Sequence, residues 1–71
     1  MKVIVKVKFN ATREKFEVFG ANKYLVHLPF QEDTEANIVL ARMLSRHLGV
    51  PPSKIKFAGF DPYKDRIFEI F

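Results

Sequence analysis

A chain of 71 residues without cysteine reads as one domain, near the lower size limit for a self-sufficient core, with no disulfide or thiolate metal site to supplement it. Hydrophobic residues make up 48 %, eight of them Phe, which excludes a disordered tail and favours a packed globule. The net charge of +4 and pI near 9.6 favour anionic partners, or simply keep a small protein in solution.

No apolar run approaches the roughly 20 residues needed to span a bilayer. The opening "MKVIVKVKFN" spreads its lysines through the segment instead of gathering them before an apolar block, so it reads as a strand and not a signal peptide. The expectation is a cytoplasmic protein with no membrane partner. Residues 2–9 alternate with period two. Val3, Val5, Val7 and Phe9 form one face; Lys2, Ile4, Lys6 and Lys8 form the other, the pattern of a half-buried strand. "NATREK" follows as a turn or irregular crossing. Residues 16–29 read as a broken strand pair. Phe16 and Val18 alternate, Gly20-Ala21-Asn22 turn the chain, and Tyr24, Val26 and Leu28 alternate again until Pro29 removes a ladder donor.

Residues 31–49 carry the one convincing helix. Asp33 or Thr34 is the predicted N-cap; Glu32, Asp33 and Glu35 at the start and Arg46 and His47 at the end suit the helix dipole. Gly49 is the predicted C-cap, and Pro51 forbids continuation. At about 100° per residue, Ala36, Val39, Leu40, Met43, Leu44 and Leu48 share a stripe, with His47 near its centre in the last turn and Ile38 on the polar side. "SKIKFAG" is a further strand, Ile55 and Phe57 opposing Lys54, Lys56 and Ala58. Asp61-Pro62 marks a loop. "RIFEIF" is the last strand, and its alternation leaves the buried face open, Phe68 and Ile70 competing with Ile67 and Phe71. The order β-β-(β)-α-β-β with one helix predicts a two-layer α+β sandwich, the helix covering one face of a four- to five-stranded mixed or antiparallel sheet.

Catalytic constellations are scarce. His27 and His47 match no metal-ligand spacing, and neither Ser45 nor Ser53 lies in a nucleophile elbow. The glycines at 20, 49 and 59 are isolated turn residues and not a phosphate loop. The acids before the helix are explained by its dipole. No catalytic residue, metal or cofactor is therefore assigned. The uncovered sheet face is richer. If the first strand and "SKIKFAG" are neighbours, Lys2, Lys6, Lys8, Lys54 and Lys56 share one surface, with Ile4 and His27 among them. Such a surface can contact phosphates; it also keeps an open sheet soluble and its edges unpaired. Single-strand binders usually add stacking aromatics, and most aromatics here look like core. Ile4, Ile38 and Phe71 are candidates for a homodimer contact.

"HLGVPPSKIKFAGF" is similar to the corner of ubiquitin-type domains, where a helix ends in Gly-Ile-Pro-Pro and the next strand ends in Phe-Ala-Gly. The twelve residues after Gly59 are too few for the remaining ubiquitin strands, and the chain ends without a diglycine tail, so conjugation chemistry is not expected. A longer resemblance, over nearly the whole chain, is to the YggU-like family of uncharacterised proteins. It rests on Ala36-Asn37 opening the helix, Leu40 and Leu44 along it, Leu48-Gly49-Val50-Pro51, a strand ending at Gly59, and Lys64-Asp65-Arg66 before the last strand. The chain departs from that pattern in having Thr34-Glu35 for Gly-Lys, Phe30-Gln31 for a double proline, Tyr63 for a serine, and one inserted residue after Gly59.

The resemblance brings no established activity. It implies the motif positions Asn37, Gly59, Lys64, Asp65 and Arg66, either as a patch where the helix N-terminus and the Lys64/Arg66 loop bind an anion or nucleic acid, or as architecture. In the second case Asn37 ties down the loop before the helix and Asp65 pairs with a nearby base. The expected function is a non-enzymatic module binding nucleic acid or another anion through Lys64, Arg66, Asn37, Lys6, Lys8, Lys54 and Lys56. The alternative is a protein-interaction or structural module, a homodimer or a ubiquitin-like scaffold, using the open sheet face.

Overall fold

The computed structural model describes residues 1–33 and 35–71. The strands are β1 (Lys2–Lys8), β2 (Lys15–Gly20), β3 (Lys23–His27), β4 (Ile55–Phe60) and β5 (Arg66–Ile70), and the helix is α1 (Ala36–Leu48). The five strands form one sheet in the order β2-β3-β1-β5-β4, with β1 parallel to β3 and the other pairs antiparallel. The fold is the expected α+β one, a single helix on one face of a mixed open sheet.

Local chemistry explains the path. Asn10 (φ 58°) and Asn22 (φ 56°) take the left-handed conformation in which asparagine is enriched. The first turns the chain out of β1; the second closes the β2–β3 hairpin. Gly49 caps α1 in the left-handed region (φ 71°), and its N–H donates to the Ser45 carbonyl at 2.9 Å. A 3₁₀ turn over Pro52–Lys54 then delivers the chain into β4. Lys54 therefore belongs to this turn and not, as expected, to the strand.

The start of α1 also differs from expectation. Glu35 occupies the N-cap position without a side-chain capping bond, while the Asp33 carboxylate accepts the Glu35 N–H at 2.9 Å in a turn just before the helix. The capping role expected of Thr34 lies outside the described residues. The apolar stripe is as read: Ala36, Leu40, Met43 and Leu44 are buried, with Val39 and Leu48 packed at the edge. They meet Val3, Val5, Tyr24, Val26, Ile55, Phe68 and Ile70 from the sheet. Phe68 and Ile70, and not Ile67 and Phe71, face the helix, because Val3 opposes Phe68 in the β1–β5 register. Phe57 lies on the helix side yet stays 39 % exposed, since β4 is an edge strand and α1 does not extend over it fully. His47 stacks against the rings of Phe16 and Tyr24, at 4.9 and 5.3 Å between centroids.

Candidate functional site

On the helix side, one charged residue enters the packed layer. Arg66 is only 6 % exposed. Alternation along β5 puts it beside Val5 and beneath the start of α1, where its Nε–H donates to Asn37 Oδ1 and its Nη2 to Glu32 Oε2, both at 2.8 Å. The guanidinium also lies between two rings, 5.3 Å from the Phe9 centroid and 5.1 Å from that of Phe60, where the ring faces attract a cation. Arg66 is thus supplied with an anion, an amide oxygen and two π-faces from its own chain.

Of the motif residues, Asn37 and Arg66 are brought together, and Asn37 ties the helix to β5 instead of holding the preceding loop. Lys64 is exposed on the 61–65 turn in the left-handed conformation (φ 65°), at the rim of a concavity of about 470 Å³ that it lines with Asp65, Arg66, Glu32, Phe9 and Phe60. Its neighbour Asp65 makes no ion pair among the described residues. The turn is held instead by Asp61, whose Oδ1 accepts the N–H groups of Tyr63 and Asp65 at 2.9 Å. Lys64 and Arg66 therefore do not form one exposed basic pair, because one residue is in a turn and the other is buried by the strand that follows.

The face away from the helix is organised differently. Register places four rows across it: Lys56–Glu69–Lys2, Ile67–Ile4–Lys23, Lys6–Leu25–Glu17 and Lys8–His27–Lys15. The expected contiguity of the first strand with "SKIKFAG" does not occur, because β5 pairs with both and lies between them. Glu69 consequently separates Lys2 from Lys56. Even so, six lysines share this face with two glutamates, while the remaining six basic and six acidic residues of the chain cancel. The whole formal net charge of +4 is carried by one surface.

Ile4, Leu25 and Ile67 form a half-buried apolar centre within the lysines. At one end Phe71, 67 % exposed, lies 5.5 Å from the Lys56 ammonium, so an aromatic whose burial the alternation left open is available at the surface. Glu17 accepts from Lys15 Nζ at 2.9 Å and lies 3.5 Å from His27 Nε2. Chiefly the Lys15 hydrogen bond, opposed by desolvation and aided by the Lys15 charge and by His27, holds its carboxyl below the ordinary carboxylate value.

Lys15, Lys23, Leu25 and Ile67 were not singled out by the sequence reading. The signal was present: Lys15 and Glu17 oppose Phe16 and Val18, and Lys23 and Leu25 oppose Tyr24 and Val26, by the same period-two rule used for β1. Among the described residues no helix is long and apolar enough to cross a membrane. No protein-family model matches the chain, and no solved structure matches it.

Proposed function

We propose that this chain is a non-enzymatic, YggU-like module that works in the cytoplasm by binding nucleic acid through backbone phosphates on the uncovered face of its sheet. The observation that carries the reading is the segregation of charge, with the net charge of +4 displayed by one face and the rest of the chain balanced. Phosphate neutralisation by lysine and release of condensed counterions supply most non-specific affinity for nucleic acid. Lysines act there as flexible point charges without bidentate geometry, so the binding is indifferent to sequence. Lys2, Lys6 and Lys8 span about 20 Å of β1, and the strands fix their spacing. Phe71 offers a face on which a base can stack at the edge of this field.

The Ile4, Leu25 and Ile67 centre supports a second reading, an acidic protein partner, because apolar centres with polar rims are the usual anatomy of protein interfaces. Self-association through this face is the weaker form of that reading, since it sets six lysines against six.

Fluorescence anisotropy with a single strand of about 15 nucleotides at about 50 mM salt tests the proposal. The expected dissociation constant is in or below the range of about 1–100 μM, and Lys6→Glu with Lys8→Glu weakens binding at least ~10-fold. No binding at that salt, or binding untouched by the double reversal in a folded protein, overturns it. Light scattering that shows a dimer dissolved by Ile4→Asp would replace it with the interaction reading.

A further inference from the structure

The sheet face ends in a cleft that its flat portion does not explain. Loop residues 9–14 leave β1 and rise beside the ends of β1 and β3, forming a concavity of about 450 Å³. Lys8, Arg13, Lys15 and His27 line it, with Thr12 and Phe9 completing the wall. The wall is anchored: Asn10 N–H donates to the Phe30 carbonyl at 2.9 Å, and Ala11 N–H to the Leu28 carbonyl at 3.0 Å. The loop therefore holds its shape against the continuation of β3 before any ligand arrives, which lowers the cost of ordering on binding.

The charge balance in the cleft is specific. No carboxylate lines it among the described residues, and Glu17, beside it, is engaged by Lys15 and His27. Glu14, the sequence neighbour of Arg13, lines a different cleft on the helix side, with Arg46 and His47. Lys8 and Arg13 have no ion-pair partner among the described residues. Two uncompensated positive charges converge on one concave site, and one of them is a guanidinium able to grip two oxygens of a phosphate at once. A backbone phosphodiester brings one negative charge, whereas a phosphate monoester carries about −1.5 to −2 near neutral pH and three acceptor oxygens. Cleft and monoester match in charge and in number of contacts.

We propose that this cleft receives the terminal phosphate monoester of a nucleic-acid strand lying on the adjacent lysine face. The inference rests on the proposed nucleic-acid binding and adds an end preference to it. Lys8 is shared between face and cleft. Arg13, which is not on the sheet, belongs to the cleft alone and sets the preference.

The test compares one oligonucleotide sequence phosphorylated at its first nucleotide, at its last, or at neither, by anisotropy on the full chain. One phosphorylated end is expected to bind about fivefold more tightly than the unphosphorylated strand. Arg13→Ala removes that increment while leaving the unphosphorylated strand within about twofold; Arg13→Lys restores part of it. Equal affinity for all three strands, or an increment untouched by Arg13→Ala, overturns the end preference and leaves binding by the face standing. No binding of any strand overturns both. Saturable shifts of the Arg13 and His27 amide resonances with a nucleoside monophosphate, without any end preference among the strands, assign the cleft to a free phosphorylated small molecule and overturn the strand-end version.

Discussion

The two faces of the sheet treat positive charge in opposite ways. On the helix side Arg66 is enclosed, and its chain supplies Glu32, Asn37, Phe9 and Phe60 as partners. On the other side six lysines stand in solvent around three half-buried apolar residues, with two glutamates between them. A basic residue whose donors are engaged by its own protein contributes to architecture. One that keeps its donors free is available to a partner. The sign of a residue therefore says little about its role until its neighbours are known, and here those neighbours are set by strand order.

Substitutions separate the two roles. The largest effect is expected for Arg66→Ala, which removes two charge-assisted hydrogen bonds and the contact with two rings. With Glu32 largely exposed and its share discounted for screening, the loss of stability should be about 2 kcal/mol. Urea unfolding measures it, and oligonucleotide affinity of the folded fraction should stay within about twofold. Asn37→Ala removes the hydrogen bond that joins α1 to β5 and should cost about 1 kcal/mol by the same assay.

Lys23→Ala lies on the other face and should reverse the pattern, with stability within about 0.5 kcal/mol of the parent and affinity reduced about two- to threefold. A large stability loss for Lys23→Ala, or a large affinity loss for Arg66→Ala, would erase the contrast between the faces.

Glu17→Gln has the smallest effect and the opposite direction, since it removes a negative charge from the binding face. Affinity should rise by less than about threefold. The acid response has the same origin. Because the Glu17 carboxyl lies below its ordinary value in the folded chain, its small stabilising contribution is complete above the ordinary carboxylate range. It is lost as pH falls through the folded value. Binding measured over the same interval should strengthen as Glu17 is neutralised, and Glu17→Gln should flatten that part of the profile.

Much of this was legible in the sequence. Period-two alternation marked four to five strands, of which the structure has five, and the apolar stripe with Gly49 and Pro51 marked the helix and its stop. The face of β5 was not legible, because Ile67, Phe68, Ile70 and Phe71 are all apolar and both registers bury two of them. Strand order was equally hidden: nothing in "SKIKFAG" says that β5 will insert between it and β1. That pairing decided which lysines share a surface, separating Lys56 from β1 by Glu69, while the 3₁₀ turn over Pro52–Lys54 took Lys54 out of the strand. Arg66 was misplaced for a different reason. A lone arginine before a strand reads as a surface base, and its burial depends on Glu32 and Asn37, residues 34 and 29 positions away.

The salt dependence of oligonucleotide binding tests the central claim most directly. Log affinity plotted against log salt should fall linearly, with a slope of about −0.7 per phosphate neutralised on a single strand. Lys6→Ala should make that slope shallower by about 0.7, while Arg42→Ala, on the helix, leaves it unchanged. A slope insensitive to Lys6→Ala, or one altered by Arg42→Ala instead, would contradict binding through the open face of the sheet.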